Sequence, residues 1–214
     1  MKICLVTDRR RRDPIAQARQ AVEAGIDLIQ IRERDLEAGA LAALVRAVVG
    51  VARAGATGGQ GAPESKTTRV LVNDRLDVAL ACGADGVHLR GDSMAAAIVR
   101  LSTPQGFLVG RSVHTREQAR DAGPVDYLIA GTVFRTESKQ EDAPLIGLDG
   151  LTAIVRAASA PVLAIGGITV DRVGGVAATG AAGIAAIGLF AGAEPLTSLV
   201  EAVRMRFDTA KSAP

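Results

Sequence analysis

Large rings are what this sequence has least of. Tryptophan is absent, and one tyrosine with four phenylalanines makes only 2% of the 214 residues aromatic. The interior must therefore be filled by valine, isoleucine, leucine and alanine, in a chain that is 48% apolar. A surplus of one charge is missing as well: 25 basic against 23 acidic residues give a formal charge of +2, which excludes the global electrostatic footprint of a nucleic-acid binder. The two cysteines, Cys4 and Cys82, have no metal-ligand spacing and read as small buried hydrophobes in a reducing compartment. No apolar stretch is expected to span a bilayer, and the opening MKICLVTD lacks a signal pattern, so the expectation is a cytoplasmic protein without a membrane partner.

What is present is alternation. Lys2 to Val6 is a short apolar run; Asp13 and Pro14 then supply the N-cap and first position of a helix that Gly25 stops. The same strand-then-helix unit recurs through Asp27–Ile31 and Leu36–Arg53, Arg69–Val72 and Leu76–Cys82, and Gly86–Leu89 and Met94–Leu101. It continues through Phe107–Val109 and Arg116–Ala122, then Tyr127–Ala130 and Gly150–Ala157. The last strands are PVLAI from Pro161 and GIAAI from Gly183, with helices at Thr169–Thr179 and Pro195–Phe207. Strands separated by helices pair in parallel, and eight such units close most naturally into a single-domain (β/α)8 TIM barrel over residues 1–214. A doubly wound open sheet would want a glycine fingerprint after the first strand, where this chain has VTDRRRR. One composition break, about 54–68 (AGATGGQGAPESKTT), reads as a flexible loop at the barrel end opposite the functional rim.

Chemistry in such a barrel belongs at the C-terminal strand ends. Reading those off gives Thr7 and Asp8; Gln30, Arg32 and Arg34; Asn73 and Asp74; His88 and Asp92; Ser112 and His114; Thr132, Thr136, Ser138 and Lys139; then Gly166, Gly167 and Gly188. Glycines ending the last two strands suit a phosphate cradle, since a Cβ would block close approach and penalise positive φ; a tight turn is the plainer alternative. In QIRER the strand alternation sends Gln30, Arg32 and Arg34 to one face and Glu33 to the other, so two arginines ask for an anionic ligand. Asn73, Asp74 and Asp92 offer hard oxygens suited to Mg2+ bridging a diphosphate, or, for the first two, a helix cap. Lys139 with Thr136 and Ser138 would put a point charge and hydroxyls on phosphate oxygens, or would simply be a solvated loop. His88, within a strand, reads as a core histidine. A Ser112–His114 nucleophilic pair lacks a third orienting group. The run Arg9–Arg12 is either a solvated loop or a rim feature that attracts phosphorylated molecules.

VTD near the start, QIRER, VNDRLDVALACGADGVHL, VGRSVHT, YLIAGTVFRTESK and PVLAIGGIT, in order from Leu5 to Phe190, together resemble the thiamine phosphate synthase and TenI family. The resemblance implies a (β/α)8 barrel in thiamine biosynthesis. Synthase members join hydroxymethylpyrimidine diphosphate to a thiazole phosphate and release diphosphate with Mg2+ present; TenI members include a metal-free thiazole tautomerase. Carried over, the synthase pattern puts Gln30, Arg32, Asn73, Ser112, Thr136, Ser138 and Lys139 around the pyrimidine and diphosphate. It puts Asp74 and Asp92 on the metal, and Gly167 and Gly188 near the thiazole phosphate. Arg34 stands where synthases have lysine, HLRGD is one residue shorter than the synthase pattern, and Thr132 stands where the tautomerase has an acid-base histidine. The expectation is a transferase of the synthase type acting on small phosphorylated substrates, with Arg32, Ser112 and Lys139 catalytic. A tautomerase and a catalytically silent binder of thiamine precursors are the alternatives, and a homo-oligomer stays open.

Overall fold

The computed structural model describes residues 1–56, 67–136, 144–192 and 195–211. Eight strands, β1 (Lys2–Val6), β2 (Leu28–Ile31), β3 (Arg69–Asn73), β4 (Gly86–Leu89), β5 (Leu108–Val113), β6 (Tyr127–Gly131), β7 (Val162–Ile165) and β8 (Gly183–Ala186), pair in parallel in sequence order, and β8 returns to β1 to close the barrel. Each is followed by a helix: α1 (Pro14–Glu23), α2 (Ala38–Ala56), α3 (Leu76–Ala81), α4 (Ala96–Leu101), α5 (Arg116–Arg120), α6 (Gly147–Ala157), α7 (Val173–Ala178) and α8 (Leu196–Lys211). This is the expected (β/α)8 architecture. The seam between β8 and β1 depends on Gly183, because a Cβ there would strike the Lys2 carbonyl.

Several boundaries differ from the sequence reading. β5 runs on to Val113, so Arg111 and Ser112 are strand residues. The helix expected at Thr169–Thr179 is divided into a 3-10 turn, Val170–Arg172, and α7, whose interior pair Gly174–Gly175 is a poor helix former. α2 continues to Ala56, into the stretch read as loop, while residues 57–66 of that loop lie outside the described residues. Residues 38–55 of α2 reach a mean hydropathy of 1.5, long and apolar enough by length and composition to cross a bilayer, contrary to the sequence expectation. In the fold this helix instead lays a buried stripe of Leu41, Val45, Val48, Val49 and Ala52 on the barrel.

Two apolar layers result. The larger lies between strands and helices; the smaller fills the barrel with Cys4, Val6, Leu28, Leu71, Tyr127, Ile129, Leu163 and Ala185. Both cysteines are free and buried, and burial pushes the Cys4 thiol up to about 12, which leaves it inert. Along β2 to β5 the positions that alternate toward the interior turn polar as each strand nears its C-terminal end: Leu28 then Gln30, Leu71 then Asn73, Gly86 then His88, Gly110 then Ser112.

The opposite end carries a repeated device. An aspartate just before each of three even-numbered strands accepts a hydrogen bond from the amide of the second residue of the preceding odd strand. Asp27 takes Ile3 N at 2.9 Å, Asp85 takes Val70 N at 2.7 Å and Asp126 takes Val109 N at 2.7 Å. Each satisfies a backbone donor at the barrel floor. Asp27 also binds Lys2 Nζ at 3.1 Å and Arg204 of α8 at 3.0 Å, joining β1, β2 and the last helix. Burial works to raise its pKa, but the Ile3 amide, Lys2 and Arg204 outweigh it and hold the carboxyl below its usual 3.8. Asp27→Asn is therefore expected to cost about 3 kcal/mol in denaturant unfolding at pH 7. Because the folded pKa is the lower one, this contribution is complete above the unfolded value and is lost as pH falls through the folded one, so the gap between wild type and variant should narrow below about pH 4.

Candidate active site

The C-terminal strand ends surround one cavity of about 1130 Å3. On the β2 to β5 side, Gln30, Arg32, Arg34, Asn73 and Ser112 line it, joined by Thr132 and Thr136 of the β6 loop. Gly166, Gly167 and Gly188 line the β7 and β8 side. The structure thus brings together the described residues expected at the rim, apart from Asp74 and Thr7, whose hydroxyl is buried against Glu33. Ser138 and Lys139 lie outside the described residues.

Gln30 donates to Asn73 Oδ1 at 3.0 Å, which holds two amide side chains across neighbouring strands and leaves the Asn73 amide group free to donate. Burial and then the like charge of Arg34 pull the Arg32 pKa down. The acids of the same segment are used elsewhere: Glu33, buried as the alternation requires, accepts from Thr7 Oγ1 at 2.6 Å and Arg9 N at 3.1 Å, while Asp35 pairs with Arg9 and Arg10. Arg32 and Arg34 both line the cavity, and Asp8 and Glu33 offset only part of the Arg32 charge.

Gly166 and Gly167 have φ of +105° and +61°, which a phosphate cradle and a tight turn both require. A second reason for glycine comes from the neighbouring loop. Phe134 N donates to Gly166 O at 3.0 Å, and a Cβ on Gly167 would meet the Phe134 and Arg135 carbonyls, so the β6 and β7 loops lie backbone to backbone. At Gly188, whose φ is not positive, the neighbour is Arg11: its Nη1 lies 3.5 Å from where a Cβ would stand. Arg11, from the arginine run, thus reaches the end of β8. Opposite it, Arg172 donates to Gly167 O at 2.7 Å and covers the Phe134 ring at 4.8 Å. Arg10, Arg90 and Arg135 complete a set of seven arginines on a lining that contains two acids, Asp8 and Asp92.

The carboxylates expected on a metal meet at Arg90. Its guanidinium lies 3.6 Å from Asp74 Oδ2 and also pairs with Asp92, and Ser93 Oγ donates to Asp74 Oδ1. Asp74, at φ +60°, faces a smaller cavity of about 150 Å3 that shares Arg34, Asn73 and Arg90 with the large one. No cluster of three or more His, Cys, Asp or Glu suited to a metal occurs among the described residues. Two carboxylates converging on one cation nevertheless fit Mg2+, which commonly takes one or two carboxylates and completes its shell with water and substrate phosphate.

The partner of Ser112 is not the one its sequence neighbourhood suggests. His114 bonds through Nδ1 to the Gly131 carbonyl, whereas Ser112 Oγ lies 2.8 Å from His88 Nε2, and His88 Nδ1 lies 3.0 Å from Tyr127 Oη. Burial, then the charges of Arg111 and Arg32, push the His88 pKa down to about 3. It is a neutral group at physiological pH and far too weak a base to activate a serine nucleophile. Sequence reading placed His88 among the strand-end residues but took it for a core histidine, which its burial matches, and left Arg11 open as part of a basic run on the rim. It missed Tyr127, Arg90 and Arg172 as site residues.

A family model described as thiamine monophosphate synthase matches residues 3–190. The thiamine-phosphate synthase of Methanoregula boonei is 40% identical over 196 residues, covering 91% of this chain and 86% of the relative. That of Pyrococcus horikoshii is 37% identical over 206 residues, covering 95% and 93%. The solved thiamine phosphate pyrophosphorylase from Pyrococcus furiosus superimposes with a TM-score of 0.83 at 34% identity, over 98% of this chain and 96% of that one. A 3-hexulose-6-phosphate synthase, at TM-score 0.67 and 19% identity, shares the fold alone. On the extent of the family match and the identity to these relatives, the chain belongs to the thiamine-phosphate synthase family.

Proposed function

We propose that this enzyme is a transferase that joins hydroxymethylpyrimidine diphosphate to hydroxyethylthiazole phosphate, giving thiamine phosphate and diphosphate. One observation carries the reading beyond the family: two anion-ready groups face each other across one cavity, Arg32, Arg34 and Ser112 from β2 to β5 and the glycines of β7 and β8 with Arg11 and Arg172. At about 1130 Å3 the cavity exceeds the usual size for one small ligand, which suits two phosphorylated substrates bound at once.

In the reaction the carbon–oxygen bond to diphosphate breaks first, the electron pair leaving with diphosphate, and the thiazole nitrogen then gives its lone pair to the pyrimidine methylene cation to form the new bond. Charge builds on the leaving oxygens, so preorganised donors aimed at them lower the barrier. Arg32, Ser112, Thr136, Ser138 and Lys139 are assigned to that role. Gln30 and Asn73 hold the pyrimidine; the cradle of Gly166, Gly167 and Gly188 holds the thiazole phosphate and sets the approach. Arg34 adds charge beside Arg32. Asp74 and Asp92 are the groups that would hold Mg2+, which supplies extra positive charge to the diphosphate when bound; Arg90 must give way for that to happen. Proton shuttling, which a tautomerase needs, has no agent at Thr132, a buried hydroxyl, nor at His88, neutral down to about pH 3. The substrates are free small molecules, with neither nucleic acid nor membrane as partner, and a cytoplasmic setting is in keeping with two free, buried cysteines.

Two measurements test these assignments. Purified protein given both substrates and Mg2+ should release diphosphate, and Lys139→Ala should lower kcat by about 100-fold; unchanged turnover would remove that lysine from the mechanism. Mn2+, an EPR-visible stand-in for Mg2+, should bind Arg90→Gln at least about fivefold more tightly than wild type, since a cation paired with both carboxylates is removed.

A further inference from the structure

The chain's single tyrosine and one of its two histidines are spent on one serine at the cavity wall. In the sheet, Gly110 of β5 stands beside His88 of β4 on one side and Tyr127 of β6 on the other. A Cβ at Gly110 would collide with the Tyr127 ring. Its absence lets the tyrosine reach across β5 to His88, with ring centroids 5.6 Å apart. Tyr127 is 6% and His88 2% exposed, so the chain from Tyr127 Oη to His88 to Ser112 Oγ is closed to bulk water until it reaches the serine.

Counting protons fixes its direction. A neutral imidazole has one donor and one acceptor, a tyrosine one proton, a serine one proton and two lone pairs. If His88 carried its proton on Nδ1, that proton would go to Tyr127 Oη, and the tyrosine's own proton would need another acceptor; among the described residues Tyr127 Oη bonds only to His88. A buried donor left unpaired disfavours that arrangement by about tenfold or more. In the other arrangement Tyr127 donates to Nδ1, Nε2–H donates to Ser112 Oγ, and every buried proton has an acceptor.

We infer that Tyr127 and His88 are positioning residues that hold the imidazole as its Nε2–H tautomer. Ser112, already accepting from His88, is thereby committed to donating its own proton into the cavity, toward an acceptor-only oxygen such as one on a phosphate or diphosphate. A serine free to rotate could instead turn its proton toward the imidazole and offer the cavity only lone pairs. This one cannot turn its proton inward, because Nε2 has no lone pair to take it. The inference depends on the synthase reading only for which substrate oxygen receives the bond.

Nitrogen-15 NMR of the histidine-labelled protein tests it, with His88→Gln assigning the signals. The expected result is a pyridine-type Nδ1 and a pyrrole-type Nε2 on His88 in the wild type, and a mixture or reversal in Tyr127→Phe. In turnover assays Tyr127→Phe should lower kcat/KM for the pyrimidine diphosphate about tenfold, with no further loss when added to Ser112→Ala. A protonated Nδ1 in the wild type, or a Tyr127→Phe penalty that persists undiminished in Ser112→Ala, overturns the inference. Absence of wild-type turnover would overturn the synthase reading instead, and the nitrogen signals would still decide the tautomer. They decide it equally if Tyr127→Phe does not fold.

Discussion

Closure of an all-parallel barrel is the constraint on which everything else rests. Once β8 pairs with β1, no strand has a free edge, and all eight C-terminal ends open onto the same rim. The closing contact is a backbone contact, with Gly183 against the Lys2 carbonyl, and it leaves no room for a side chain. Residues more than a hundred positions apart thereby face one space without any of them being neighbours in the chain. Stability and chemistry are divided between the two ends: aspartates before β2, β4 and β6 tie amides and basic side chains at the floor, while the loops above are left to the ligand.

The same closure concentrates charge in a chain that is nearly neutral. The large cavity is lined by seven arginines and two acids, although the whole sequence carries a formal +2. Holding like charges together costs energy, and local pairing relieves part of it: Arg9 and Arg10 share Asp35, Arg11 lies 3.6 Å from Asp8, and Arg90 rests between Asp74 and Asp92. Arg32, pressed by burial and by Arg34, keeps a depressed pKa. A site strained by positive charge gains most from an anionic ligand, since the ligand supplies attraction and removes repulsion in one step.

Much of this was legible in the sequence. The alternation of short apolar runs with capped helices required a parallel sheet, because a parallel neighbour cannot be reached by a hairpin. QIRER placed Gln30, Arg32 and Arg34 on one face and Glu33 on the other by strand geometry alone, and Gly166 with Gly167 announced positive φ. Element ends were less accurate. Ser112 was read as lying past the fifth strand but belongs to it, because the β5 ladder with β6 runs on through Ser112 and Val113, paired with Ile129 and Ala130. The glycine pair was read for an anion, while the structure adds the β6 loop backbone packed against it.

The sequence by itself determined the fold class, the family and the strand ends that carry polar residues, since each of these follows from local periodicity or from ordered motifs. Only the tertiary structure decided which side chain meets which. His88 pairs with Ser112 across 24 positions and with Tyr127 across 39, Arg11 reaches Gly188 from the far end of the chain, and Arg90 links two carboxylates on different loops. Such pairings depend on strand stagger, on the missing Cβ of Gly110 and on where a long flexible guanidinium comes to rest. None of these leaves a periodic trace along the chain, because they are fixed by packing between elements that the sequence lists far apart.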